Sequence, residues 1–382
     1  MNPIKLFVCG DIVNMSSDSQ FIDDKLINHI KDSDYAICNF EGTCEYPRIK
    51  GLSMVQCEGT LRLLQEAGFD MMLLANNHVT DYGYLGLRNT IREIEENGFA
   101  HIGAGFDYDD TYRPFLIDIS GITLGFINLC EAQVGHFSDE SQEYGYAWIG
   151  DKRVDDRIKD LRKRCDVLIL FAHAGLENYR LPLPQFRSLY RHYIDTGVDL
   201  VIGGHPHIAQ GIEQWCGKYI FYSLGNFYFP FKTRWENTWK KGFSVVLTID
   251  GNLAIGFDII QHKLVDDKVV LCNEDILNIS ELNNSLNDSN YLTEIVHQNK
   301  QSFYDLPYRL YKDALNGTSE NDTFDRKIKN ILCYLVNRKK TYKGSESFRM
   351  SLLKRLVENE TYRFLTINYI NDLESENERG NK

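Results

Sequence analysis

The chain has 382 residues, 43% hydrophobic and 25% charged, the proportions of a folded globular protein with room for about two domains and no need of disulfides to hold a core. Its net charge of −12, with no basic run longer than Arg338-Lys339-Lys340, argues against a nucleic-acid scaffold as partner, because phosphate backbones are gripped by clustered Lys and Arg. There is no 18-residue apolar stretch, the N-terminal apolar run is short, and nine cysteines are dispersed without a Cys-x-x-Cys pair, so a cytoplasmic protein with reduced thiols and no membrane span is expected.

In chain order, Ile4 to Cys9 reads as a strand that ends in Gly10-Asp11, and a helical stretch around Phe21 to Ile30 follows. Tyr35 to Cys38 is a second strand, ending in Asn39-Phe40-Glu41-Gly42. Leu61 to Phe69 has helical spacing and stops at Gly68. Met71 to Leu74 is a third strand that empties into Ala75-Asn76-Asn77-His78, and Gly86 to Asn97 is a helix closed by Gly98. This alternation of strand and helix predicts a layered α/β domain. Gly103-Ala104-Gly105 reads as an ordinary turn, with a phosphate-binding loop as the alternative.

Phe115 to Ile119 and Ile122 to Leu129 form a hairpin across Ser120-Gly121. After a helix near Ile158 to Arg164, the apolar strand Val167 to Phe171 leads into Ala172-His173-Ala174-Gly175-Leu176-Glu177. A helix from Phe186 to Thr196 brings the chain to Leu200-Val201-Ile202-Gly203-Gly204-His205-Pro206-His207, a buried strand that breaks on two glycines and delivers two histidines. The stiff Pro206 between them lets the imidazoles point at different neighbours. Tyr219 to Ser223 is one more strand, ahead of Leu224-Gly225-Asn226-Phe227, and Val245 to Ile249 with Leu253 to Ile259 predicts a second hairpin across Asp250-Gly251.

Composition changes after about residue 270, which divides the chain into a domain over 1–270 and a helical extension over 271–382. Asn278 to Asn290 reads as a linker or surface loop. Phe324, Ile328, Ile331, Leu332 and Leu335 form one helical stripe, Phe348, Leu352 and Leu356 another, and the charged tail from Glu374 is expected to be disordered.

Five strand ends thus carry residues of metal-binding type: Asp11; Asn39 and Glu41; Asn77 and His78; His173; His205 and His207. Any one of them has an ordinary reading as a cap, an Asx turn or a core histidine. Together they line the carboxyl edge of a sheet, where ligands of open α/β folds bind. Mixed oxygen and imidazole donors without thiolate suit Mn²⁺, Fe²⁺ or Zn²⁺. Two such ions about 4 Å apart can generate hydroxide and clamp the two oxygens of a phosphoester displacement.

Gly10-Asp11, Asn39-Phe40-Glu41-Gly42, Ala75-Asn76-Asn77-His78 with Asp81-Tyr82-Gly83, His173-Ala174-Gly175-Leu176-Glu177, Gly204-His205-Pro206-His207 and Tyr222-Ser223-Leu224-Gly225-Asn226-Phe227 stand in the order found in the capsule-synthesis CapA proteins, associated with poly-γ-glutamate production. From Ile4 to Ile260 the chain resembles that family, which belongs to the calcineurin-like metallophosphoesterase superfamily. The resemblance implies a four-layer α/β/β/α sandwich and two divalent metal ions. By it, Asp11 would bind the first metal, Glu41 would bridge, Asn77, His173 and His205 would hold the second metal, and His207 would return to the first. His78 would be the uncoordinated imidazole that protonates the leaving group. Asp81 either orients His78 or caps the helix near Gly83. Two departures stand out: Val13 occupies the place of a superfamily histidine, and Glu41 that of the bridging aspartate. Glu177 is a candidate to compensate or to touch substrate, Asn39 a candidate accessory, and Asn226 a brace beneath the metals.

The expected function is a metal-dependent hydrolase of the CapA type, acting on a phosphoester, amide-linked or glycan-related substrate in capsule or cell-surface polymer synthesis. Its substrate would be an anionic small molecule or polymer, and a synthase partner could dock on the C-terminal helices. The alternative is a non-catalytic assembly or regulatory subunit that binds an anionic polymer or a synthase.

Overall fold

In the computed structural model, which describes residues 3–15, 19–44, 54–137, 141–231, 236–316 and 343–380, strand Ile4–Ile12 is buried at every position except Lys5. Burial on both faces is what a near-continuous apolar run predicts for a strand inside a layered fold. This strand is central in a sheet whose order is Lys268–Leu271, Ile255–Val265, Lys241–Ile249, Ile4–Ile12, Tyr35–Phe40, Met71–Leu73, Ala100–Ile102, with Asn226–Tyr228 also pairing to Ile4–Ile12. A second sheet runs Ile212–Trp215, Lys218–Phe221, Leu200–Gly204, Val167–His173, Ile122–Cys130, Phe115–Ile119. Three short strands, Ala104–Gly105, Gly145–Ala147 and His136–Phe137, form a third.

The two large sheets pack face to face. Leu6, Val8, Ile37, Met71 and Leu73 of the first meet Leu124, Phe126, Ile169, Phe171 and Ile202 of the second in one apolar cluster. Because successive strand residues point to opposite faces, Phe7, Cys9, Ala36, Cys38 and Met72 turn outward and are covered by helices Asp24–Lys31, Thr60–Ala67 and Gly83–Glu96. Helices Val154–Arg162 and Pro184–Thr196 cover the outer face of the second sheet, where Leu168, Leu170 and Val201 are fully buried. The arrangement is the expected α/β/β/α sandwich.

Several local readings change. The second hairpin closes over five residues, with Ile249 paired to Ile255, because the Asp250 carboxylate accepts from the backbone N–H of Asn252 and Ala254 and Leu253 takes a left-handed φ of 65°. The Asn-rich stretch expected to be a linker contains helix Ile279–Asn284, capped by the Asn278 side chain, with Leu282 and Leu286 buried. Local side-chain hydrogen bonding is what makes Asn and Ser good caps as well as good loop residues. The compact unit accordingly runs on past residue 270, from Met1 to Tyr291, and Leu292–Lys382 forms a second unit. In that unit helices Lys343–Glu358 and Glu360–Gly380 occur, so the charged tail continues as helix through Gly380. The stripe from Phe324 to Leu335 lies outside the described residues.

Candidate metal centre

Parallel pairing puts the strand exits side by side. Asp11 is in register with Asn39 on one flank and Asn226 on the other, and His173 is in register with Cys130 and Gly204. Close approach of the strands depends on glycine: a Cβ on Gly10 would lie 1.8 Å from the Gly225 carbonyl oxygen, and one on Gly203 would lie 2.2 Å from that of Tyr222. A Cβ on Gly204 would come within 3.1 Å of Asp11 Oδ1. The two sheets therefore deliver their polar ends to one place.

There, Asp11 and Glu41 are completely buried, and Asn39, Asn77, His173, His205 and His207 are nearly so. Asn39 Nδ2 donates to Asp11 Oδ1 at 2.7 Å. The donor atoms Asn77 Oδ1, His173 Nε2 and His205 Nδ1 converge, with 3.2 Å from the first to the second and 3.1 Å from the second to the third. Atoms bound to one ion at about 2.1 Å in a tetrahedral arrangement lie about 3.4 Å apart, so this spacing suits three ligands of a single metal. His207 Nδ1 faces Asp11 Oδ2 at 3.3 Å and Asn226 Oδ1 at 3.0 Å. His205 Nδ1 thus meets His173 and His207 Nδ1 meets Asp11, and both residues hold left-handed φ angles, 88° for His205 and 60° for His207. Such strain in non-glycine residues collects at functional sites.

The residues fit a cation. Both oxygens of Glu41 and the Oδ1 of Asn39 are buried without a hydrogen-bond partner. An uncompensated buried carboxylate is costly, and its usual remedies are a paired charge or a metal. Donor atoms of Asp11, Glu41 and His173 lie within 4.8 Å of one another, and so do those of Glu177, His205 and His207. These two groups cut across the division between first and second metal that the family resemblance implies.

The electrostatics follow from burial and crowding. Burial and the neighbouring Asp11 raise the Glu41 carboxyl to about 7. Burial opposes the charge of Asp11 too, but His207, His173 and the Asn39 amide hold it at about 2. Burial would discharge His207, yet Glu41 and Asp11 raise it to about 10. His205 is lowered to about 4 and His173 well below the ordinary imidazole value, in both cases chiefly by burial. Neutral imidazoles are the form that binds metal.

His78 stands at the mouth with its side chain 27% exposed, its Nε2 4.0 Å from Glu41 Oε1 and its Nδ1 2.9 Å from Asp81 Oδ2. The Asp81 carboxylate thus hydrogen-bonds the His78 ring, and no side-chain cap bond is made at the start of helix Gly83–Glu96. Burial disfavours the protonated ring, but Asp81 and then Glu41 raise it above its usual value. Asn76 ties the loop down: its side chain donates to Phe40 O and accepts from the N–H of Gly42 and His78. Glu177, 44% exposed, lies at the rim with Oε1 3.9 Å from His205 Nε2. Val13 sits in an apolar cluster with Phe229 and Trp239, so that flank of the site is a hydrophobic wall against His207.

Two residues were missed. Glu131, fully buried, and Gln133 follow strand Ile122–Cys130 and reach His205 and Asn77. The signal for Glu131 was present, an acid directly after an apolar strand. That strand reads as the arm of a hairpin, which hides the importance of its other end.

Residues 5–230 match the family described as bacterial capsule synthesis protein PGA_cap. The chain is 31% identical over 213 residues to the capsule biosynthesis protein CapA of Bacillus anthracis, covering 53% of this chain and 52% of that protein. It is 28% identical over 203 residues to the PGA biosynthesis protein CapA of Bacillus subtilis strain 168, covering 52% and 53%. The chain thus spans about half the length of these curated relatives. Among solved structures, a phosphatase of Mycoplasma pneumoniae aligns with a TM-score of 0.45 at 13% identity, over 68% of this chain and 94% of that one. A 5'-nucleotidase precursor of Thermus thermophilus aligns with a TM-score of 0.43 at 12% identity, over 70% and 54%.

Proposed function

The chain belongs to the PGA_cap family of bacterial capsule synthesis proteins, and from that premise we propose that it is a metal-dependent hydrolase serving capsule or cell-surface polymer synthesis. The observation that carries this reading is Glu41, a fully buried carboxylate with no hydrogen-bond partner on either oxygen, whose donor atom lies within 4.8 Å of those of Asp11 and His173. Asp11, Glu41, Asn77, His173, His205 and His207 would hold two divalent ions of the Mn, Fe or Zn type. When bound, such ions supply a hydroxide at neutral pH and positive charge for the reacting oxygens.

The chain's own residues account for the rest. His78, raised in basicity by its hydrogen bond to Asp81, is exposed enough to meet a leaving group, to which its protonated ring donates from Nε2 while Asp81 fixes Nδ1. Glu177 stands at the rim beside His205, where a substrate would meet it. The wall of Val13, Phe229 and Trp239 keeps water from His207. The substrate is a phosphoester, or an amide-linked or glycan-related precursor.

No helix among the described residues is long and apolar enough to cross a membrane. A cytoplasmic location and a synthase partner on the C-terminal unit, which exposes Leu292, Val357 and Ile367, are part of the same proposal. The test is hydrolysis of an aryl phosphate and of γ-glutamyl and sugar-phosphate compounds by metal-replete wild type and His78→Gln. Loss of about 10²–10⁴-fold in turnover at unchanged metal content supports the assignment. A wild type that binds metal but hydrolyses none of them favours the binding subunit instead.

A further inference from the structure

Glu131 and Glu41 are both completely buried acids at strand exits, yet their oxygens are used differently. Neither Glu41 oxygen has a hydrogen-bond partner, and His78 Nε2 lies 4.0 Å from Oε1. Glu131 Oε2 accepts from the Gly175 N–H at 3.0 Å, and its Oε1 accepts from Gln133 Nε2 at 2.9 Å while lying 3.6 Å from His205 Nε2. Its oxygens are held by protein donors, so it serves the ligands and not the ion.

A chain of fixed polarity runs from it. A carboxylate can only accept, so the Gln133 side chain must present its NH₂ to Glu131 and its Oε1 to the other side. There Gln133 Oε1 accepts from Asn77 Nδ2 at 3.3 Å. That leaves Asn77 Oδ1 as the atom facing His173 Nε2. Gln133 Nε2 also lies 3.4 Å from His205 Nε2, and Glu131 Oε1 is 3.6 Å from the same nitrogen. Hydrogen bonds made outside the ligand set fix a ligand's orientation toward its metal.

We infer that Glu131 and Gln133 are positioning residues that orient Asn77 Oδ1 toward one metal ion, the polarity of this chain being set by the Glu131 carboxylate. This rests on the metal-centre reading above, and it adds two residues outside the family motifs that suggested that reading.

The test is calorimetric titration of the metal-stripped full-length protein with Mn²⁺, together with the visible spectrum of the Co²⁺ form, for wild type, Glu131→Gln, Gln133→Glu and the double variant. Each single change is isosteric and spoils the polarity: Glu131→Gln frees the Gln133 amide to turn around, and Gln133→Glu sets two carboxylates against each other. Each should weaken Mn²⁺ binding about 10–100-fold and alter the Co²⁺ spectrum. In Glu131→Gln with Gln133→Glu the chain is restored with its members exchanged, since an amide at position 131 donates to a carboxylate at position 133 that still accepts from Asn77. Binding should return to within a few-fold of wild type. Single variants with wild-type affinity, or a double variant no better than the singles, would overturn the proposal. A wild type that binds no Mn²⁺ refutes the metal centre itself, and so the two failures are told apart.

Discussion

Two buried charge clusters lie in the same compact unit, and only one is complete. Around Glu213, Arg187 and Arg191 each bond the carboxylate, Tyr222 donates to Oε2 at 2.6 Å, Arg187 also donates to Leu286 O, and the Tyr291 ring lies 4.3 Å from the Arg187 guanidinium. Burial would raise the Glu213 carboxyl, but Arg191, Arg187 and Tyr222 hold it below its usual value. Around Glu41 the acids crowd each other, both Glu41 oxygens lack a hydrogen-bond partner, and the carboxyl is raised. A cluster whose every polar atom has a partner is a fastening. One that leaves oxygens facing each other in the interior is waiting for a ligand.

That contrast can be broken from either side. The largest effect is expected at the fastening: Glu213→Gln leaves the buried Arg187 and the part-buried Arg191 with only the exposed Asp288 as counter-charge and should cost about 2–3 kcal/mol in denaturant unfolding, with metal content unchanged. At the other cluster the sign reverses. Because Glu41 is raised to about 7 in the fold, the folded state binds the extra proton, and the metal-free protein loses stability as pH climbs from the ordinary glutamate range through 7. Glu41→Gln should therefore raise the metal-free melting temperature above pH 7 and abolish metal binding. A drop in melting temperature there would place Glu41 among the structural acids. Tyr291→Leu removes a cation–π contact and the hydrogen bond to Pro182 O, and should cost about 1–2 kcal/mol with the metal centre intact. The smallest change is a shift in profile: Asp81 raises His78, and the general acid works only while protonated, so Asp81→Asn should move the alkaline limb of the turnover profile to lower pH.

The layers of the fold were legible because strands buried on both faces read as continuous apolar runs, and the site was legible because those runs stop on Asp, Asn, Glu and His. What could not be read has physical reasons. The left-handed backbone of His205 and His207 is imposed by tertiary packing and has no local signature. Gln133 bears no metal-ligand chemistry and matters only through its neighbours. The helix Ile279–Asn284 hides in Asn-rich sequence because the same side chains that favour loops also cap helices. The long turn after Ile249 arises from one aspartate accepting two backbone donors, which overrides the shorter turn that Asp-Gly favours.

The central claim is that the crowded acids and imidazoles form a metal centre, and calorimetric titration of the metal-stripped full-length protein with Mn²⁺ or Zn²⁺ at neutral pH tests it most directly. The account predicts saturable binding of about two ions per chain, as for a two-metal hydrolase, abolished in Glu41→Gln and reduced in His173→Ala and Asn77→Ala. No saturable binding by the wild type, or binding that survives Glu41→Gln undiminished, would contradict it.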